Sequence, residues 1–430
     1  MDDEENYAEM LKDLLREHNY CVDMATRPER AMDQLEDIPY DLVISDYKMP
    51  VMDGADFLSK ARQLYPNLPF ILVSGLMNTP ELVKVANMGV TLVMEKPLDT
   101  EAFLSHVARF SSPMTPDEKE AMEQAEAKSG SASESEPSTY PEEPRFFNAT
   151  SDASKRFLHE FWNASRSSAF VFIQEPEGGD AELAVKDLSV WLGNHDLPVK
   201  QFQLGELQTS GIERVASGLS QNEVSDVAIV RVSTTDELST AGDFSERAAW
   251  SASDKLRLIF IVEGTLSLSE LKAKVGESSV VLPPLSQRPS DLAGYARRFA
   301  RLACDRSGKT GCANFSNEAV LAILTYSWPG NYREVQQTLT DAVSVNESEP
   351  LSFDALYEAL HFDPESVVLP KRRMAELMTL GQTIRLQQEL NDQYAGSIDK
   401  LAKDLEFENI PSSGADLAQC ALLDPTLGEI

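Results

Sequence analysis

Positive charge is what this sequence holds least of. Its 430 residues carry 38 lysines and arginines against 70 aspartates and glutamates, a formal net charge of −32. A general grip on nucleic acid or on an anionic membrane is disfavoured by that balance, because both need cations to neutralise phosphate. Cysteine is scarce as well. Cys21, Cys304, Cys312 and Cys420 form no C-x-x-C pair, and the five histidines do not cluster with them. Reduced thiols in a cytoplasmic protein are the plain reading, and a cysteine–histidine metal site is not expected. No apolar run approaches ~20 residues, so no membrane span is expected. The N-terminus, MDDEENY, is acidic where a secretory signal is basic.

What is present is alternation. Residues 1–112 pass between helix-like and strand-like segments: YAEMLKDLLREH has helical period, while DLVISD, FILVSG and TLVMEKP are short apolar runs ending in polar residues. Strands alternating with helices imply a parallel sheet covered on both faces. Residues 113–148 change character. SGSASESEPSTYPEEP is rich in Ser, Glu and Pro, buries no core, and reads as an acidic flexible linker. A second alternating region runs over 149–286, with AFVFIQ, VAIVRV and LRLIFIV as its strands. The pattern is helical over 287–365, and 366–430 reads as a helical segment with an irregular acidic tail.

The first chemical constellation lies at three strand ends. DLVISD ends in Asp46, ILVS in Ser74 and LVMEK in Lys96. Functional groups of such sheets collect at the carboxyl ends of the strands, so a carboxylate, a hydroxyl and an ammonium converge on one edge. The acids Asp2 and Asp3 add oxygen donors of the kind a hard cation such as Mg²⁺ takes. These residues, with the D-x-K-M-P-x-M-D-G string and K-P, resemble the receiver domain of bacterial two-component response regulators. The resemblance implies that Asp46 accepts a phosphoryl group from a sensor histidine kinase. It implies that Asp2, Asp3, Asp46 and the backbone carbonyl of Lys48 hold Mg²⁺, that Lys96 pairs with the phosphoryl oxygens, and that Ser74 senses them. Two departures stand out. Val93 replaces the aromatic usual three residues before the lysine, and only Met1 precedes the acidic pair, so the first strand of that fold is missing. A start codon placed downstream of the true one is the plainer account of the second departure.

The second constellation is spread along the middle region. VVLPPLSQRPSDLAGYARRF, LAILTYSWPGNYREVQQTLTDAV and SDASKRFLHEFWNASRSSAFVFIQ resemble, in order and spacing, segments of the AAA+ domain of sigma-54-dependent transcription activators. By that resemblance Arg333 takes the sensor-II position. The phosphate loop then reads EPEGGDAE, with Gly178 and Gly179 in place and Ala181 where a lysine grips phosphate. A carboxylate ~6 Å from one phosphate charge costs roughly 3 kcal/mol at an effective dielectric near 20, and the loop carries Glu175, Glu177 and Asp180. The magnesium-holding acids after VAIVRV become Arg231 or Ser233, with Asp236–Glu237 further on. The sensor asparagine becomes Glu263, and the finger arginines align with Leu268 and Lys274. QLGELQTSGIERVASGLS holds no G-A-F-T-G-A loop. These losses predict a degenerate, non-hydrolysing AAA+ domain: no enzyme, with ATP not expected as a cofactor.

Residues 382–407 loosely resemble the first helices of a helix-turn-helix. Pro411 interrupts the recognition helix and no Lys or Arg follows Lys403, so specific DNA binding is not expected. The small basic cluster Lys371-Arg372-Arg373 reads as a solvated helix start. The fold expectation is therefore α/β: a doubly wound parallel-sheet receiver lacking its first strand, then an AAA+-like α/β domain with a helical lid and an eroded helix-turn-helix. The functional expectation is a response regulator phosphorylated on Asp46 that signals through protein contacts. Its partners are a kinase and another sigma-54 activator or signalling protein, with self-association left open. A DNA-binding, ATP-hydrolysing sigma-54 activator and a phosphate sink for a kinase are the alternatives.

Overall fold

In the computed structural model the described residues are 1–75, 77–114, 140–194, 198–204, 226–232, 237–238, 241–242, 256–264, 267–309, 314–316, 319–320, 322–323, 326, 328–346 and 350–361. Most of the linker and all of 366–430 lie outside them, so the readings made there lie outside the described residues. The chain divides into two compact units, one built on Met1–Glu143, the other on Pro144–Leu192, Val199–Cys304 and the chain from Lys309 onward.

The first unit contains α1 (Glu5–Glu17), α2 (Pro28–Asp37), β1 (Val43–Asp46), α3 (Gly54–Leu64), β2 (Phe70–Ser74), α4 (Thr79–Asn87), β3 (Leu92–Glu95) and α5 (Thr100–Phe110). The strands form a parallel sheet in the order β1-β2-β3. β2 is buried along its whole length, as a continuous apolar run between helical layers requires. Helix starts are fixed locally: Asp53 caps α3, Asp99 caps α5, and Asn78 with Glu81 forms a reciprocal capping box on α4. Among the described residues, Met1 alone bonds to the outer side of β1. Its nitrogen donates to the Ile44 carbonyl at 2.7 Å, and its carbonyl accepts from Asp46 N–H at 2.9 Å. Beside it lies a cavity of about 70 Å³ bordered by Ala31, Leu35, Tyr40, Val43, Ile44 and Phe57. The described residues thus hold three strands of this sheet, and the place of the expected first strand is marked by one residue and a cavity.

The second unit contains α6 (Asp152–Ser167), β4 (Phe170–Glu175), α7 (Ala181–Trp191), β5 (Lys200–Gln203), β6 (Asp226–Val232), β7 (Leu256–Glu263), α8 (Leu268–Val275), β8 (Ser279–Val281), α9 (Pro289–Ser307), α10 (Asn331–Val345) and α11 (Phe353–His361). Its five strands are all parallel in the order β5-β6-β7-β4-β8. β4 and β7 carry the core, with Phe172 and Phe260 stacked at 4.6 Å. Asp187 on α7 ties the incoming chain down: its carboxylate accepts from the backbone N–H groups of Arg145, Phe146 and Phe147 at 2.7, 3.0 and 2.8 Å. Burial outweighs those bonds and pushes the Asp187 carboxyl up to about 6.

The reduced-thiol reading needs one correction. Cys21 is free and exposed, but Cys304 is disulfide-bonded, its partner lying outside the described residues. Among the described residues no helix is long and apolar enough to cross a membrane.

Candidate functional site

The three parallel strands of the first unit end level. Asp46 sits opposite Val73, and Ser74 opposite Glu95, so Asp46, Ser74 and Lys96 stand on one sheet edge. Lys96 is the hub. Its ammonium lies 2.8 Å from the Asp46 carboxylate and 2.9 Å from that of Asp2. Both carboxylates are nearly buried, and two such charges so close are tolerable only around a cation. Burial pulls the Lys96 ammonium down, but the bonds and charges of Asp2 and Asp46 outweigh it and hold it up at about 12. Backbone donors complete the edge: Lys48 N–H reaches Asp46 at 2.8 Å, and Glu4 N–H reaches Asp2 at 3.0 Å.

Ser74 is buried and its Oγ has no hydrogen-bond partner. A buried orphan hydroxyl costs free energy unless something arrives to take it. Its position, one strand from Asp46, suits a donor to an oxygen atom added there. Asp3 is exposed. Among the described residues no three carboxylate, histidine or cysteine side chains are grouped as a metal cage. The structure therefore brings together Asp2, Asp46, Lys96 and the Lys48 backbone, and leaves Asp3 outside. Two oxygen-donor carboxylates around one positive charge still suit Mg²⁺ chemically; Asp2 and Asp46 are the side chains that would hold it, and it would supply charge neutralisation for phosphoryl transfer.

Sequence reading missed two residues here. Tyr7, in the first turn of α1, lays its ring over the Lys96 ammonium at 4.1 Å from the centroid. Val51, in the loop after β1, has φ of 71° and is 87% exposed, a strained backbone for a β-branched residue.

In the second unit, β4 runs into the glycine loop and α7. Glu175, the last residue of β4, turns its carboxylate into the loop. It accepts from Ala181 N–H at 3.0 Å and pairs with Arg231 of β6 at 2.9 Å, while the other arm of Arg231 holds Glu182 at 2.8 Å. A carboxylate thus takes a donor that a helix N-terminus would offer to phosphate. Burial pushes the Glu175 carboxyl up, and Arg231 opposes that. Asp180 goes a different way, into a buried bidentate pair with Arg288 at 3.0 and 2.6 Å, joined by the Tyr295 hydroxyl at 2.5 Å. Burial disfavours the Arg288 charge, yet Asp180 and the neighbouring acids raise its proton affinity.

The W-P-G-N string packs directly on this loop. Trp328 is buried and donates to the Ile323 carbonyl at 2.7 Å. The Asn331 side chain donates to Glu177 O at 2.9 Å and accepts from Leu285 N–H at 2.8 Å. Gly178 has φ of +70° and a Cβ there would meet Gly330 O at 2.3 Å, so the close approach needs glycine. The Arg333 N–H donates to Gly178 O at 3.1 Å, and its side chain, 62% exposed, lies 3.8 Å from Glu263. Gly178, Gly179, Ala181 and Arg333 do meet in space, through protein contacts. Glu237 is among the described residues; Ser233 and Asp236 are not.

Comparison with known proteins adds the following. Residues 1–108 match the response regulator receiver domain, and residues 286–368 match the AAA+ ATPase lid domain. The transcriptional regulatory protein ZraR of Salmonella typhimurium is 23% identical over 390 residues, covering 82% of this chain and 83% of the relative. The transcriptional regulatory protein GlrR of Escherichia coli K12 is 23% identical over 392 residues, covering 86% and 85%. The crystal structure of NtrX from Brucella abortus in complex with ADP aligns over 95% of this chain and 98% of that one, at 16% identity and a TM-score of 0.35. The chain carries a receiver domain followed by an AAA+ lid domain, as the motifs led us to expect.

One expectation is corrected. We expected a non-hydrolysing domain, hence no enzyme, with ATP not expected as a cofactor. The lid matches that of AAA+ ATPases, and relatives with the same organisation align along about four-fifths of both chains; these findings point to an ATPase. The expectation rested on the loop lysine, the magnesium-holding acids, the sensor asparagine and the finger arginines all being read as lost, each judged from its place along the sequence, where a cation brought in from a distant segment does not show. Arg231, on β6 and separated from β4 by β7, reaches the loop through its pair with Glu175.

Proposed function

We propose that this chain is a two-component response regulator in which a sensor histidine kinase phosphorylates Asp46 and the AAA+-type body delivers the output to transcription. The Lys96 bridge between Asp46 and Asp2 carries the reading. An Asp46 oxygen attacks the phosphorus of the donor, the bond to the donor's histidine nitrogen breaks, and the electron pair leaves with that nitrogen. Lys96 neutralises charge on the transferred oxygens. Ser74, now without a partner, donates to one of them. Asp2 keeps Lys96 on the correct side before transfer. Mg²⁺ would be held by Asp2, Asp46 and the Lys48 carbonyl, and the exposed Asp3 would have to turn inward to join them. The output side is supported by relatives named as transcriptional regulators that align through both receiver and body.

The full chain incubated with a small acyl phosphate and Mg²⁺ should take up one phosphoryl group, and Asp46→Asn should take up none. A label that persists in Asp46→Asn removes the assignment.

A further inference from the structure

We propose that Tyr7 is a positioning residue for phosphoryl transfer at Asp46: its ring holds the Lys96 ammonium against the acceptor carboxylate. This rests on the reading of Asp46 as the phosphoryl acceptor. Three partners surround the ammonium: Asp2 at 2.9 Å, Asp46 at 2.8 Å, and the Tyr7 ring at 4.1 Å. The two carboxylates hold it by charge. The ring covers it with a face of negative electrostatic potential, which stabilises the cation without competing for the phosphoryl group.

The hydroxyl of Tyr7 is buried and has no hydrogen-bond partner. No polar contact therefore explains an aromatic phenol at this place. What the residue contributes is its ring, and a phenylalanine would contribute the same. Burial raises the affinity of the phenol for its proton, Lys96 opposing, so the ring stays neutral and adds no third negative charge to the pair of carboxylates. Lysine loses several freely rotating bonds on being fixed. When transfer begins, the charge of Asp46 is partly spent on its new bond to phosphorus, and its hold on Lys96 weakens. A contact that does not weaken at that moment keeps the ammonium in place for the incoming oxygens. α1 supplies this contact from its first turn, close behind Asp2.

The test uses the full chain, a titration of small acyl phosphate at saturating Mg²⁺, and the variants Tyr7→Phe, Tyr7→Leu and Tyr7→Met. Leu and Met keep apolar bulk without a ring, and Met guards against a Leu variant that fails to fold. The maximal rate constant should fall by about fivefold in Leu and Met, the scale of a partly desolvated cation–ring contact, with the half-saturating donor concentration unchanged. Tyr7→Phe should stay within about twofold of the parent. Ring-less variants as fast as the parent, or a Phe variant as slow as Leu, overturn the proposal. No labelling of the parent itself would instead remove the Asp46 reading, and so is told apart from both.

Discussion

Replacing Lys96 with methionine removes the charge and keeps most of the bulk. Two carboxylates, each within about 3 Å of the lost nitrogen, are then left facing one another across no more than about 6 Å. Two unit charges at that distance repel by about 3 kcal/mol at an effective dielectric near 20. Both side chains are nearly buried, so solvent relieves little of it. For a domain of this size that corresponds to a fall in Tm of roughly 10 °C, read as the receiver transition in calorimetry of the full chain. The loss has a specific signature. Asp46→Asn in the same chain removes one of the two charges and should restore most of the stability, and added Mg²⁺ should restore part of it in the single variant. An unchanged Tm in Lys96→Met, or a loss that Asp46→Asn does not relieve, refutes the charge-bridge account.

Val51→Gly should stabilise the first unit by about 1 kcal/mol, because glycine adopts the observed positive φ without strain; a lower denaturation midpoint would contradict this. Arg288→Met leaves Asp180 buried without its cation and should cost the second unit about 3–5 kcal/mol in chemical denaturation, with Arg288→Met combined with Asp180→Asn recovering part of it. The stability of the second unit should also respond to pH in an unusual direction. Asp187, held near 6 by burial against an ordinary 3.8, keeps its proton in the folded state while the unfolded chain loses it, so stability from this group falls as pH rises from about 4 to 6, by on the order of 3 kcal/mol. Glu175 and Asp291 are shifted the same way by burial. A second-unit Tm that rises over that window argues against the buried-carboxylate account.

Much of this was legible because it is encoded locally. Asp46, Ser74 and Lys96 each end an apolar run, and parallel pairing aligns run ends, so their convergence follows from chain pattern alone. The W-P-G-N string is legible for a similar reason: tryptophan, proline and glycine fix a turn, and Asn331 then reaches the loop at Glu177. What was hidden depends on partners far away in sequence. Asp180 looked like a charge repelling phosphate, whereas Arg288 and Tyr295, more than a hundred residues on, bury and neutralise it. Glu175 looked like a loop residue, yet it ends β4 and is held by Arg231, a residue read only as a lost acid. Tyr7 passed as one more position on an amphipathic helix, since nothing in the local pattern distinguishes a ring facing core from a ring facing an ammonium.

The most direct measurement is ATP turnover by the full chain before and after phosphorylation of Asp46, alongside Asp46→Asn under the same conditions. If the receiver is the input and the AAA+-type body the output, phosphorylation changes the turnover of the parent chain and leaves that of Asp46→Asn where it was. Equal turnover in the phosphorylated and unphosphorylated parent, with the phosphoryl group verified on Asp46, contradicts the coupling on which the account depends.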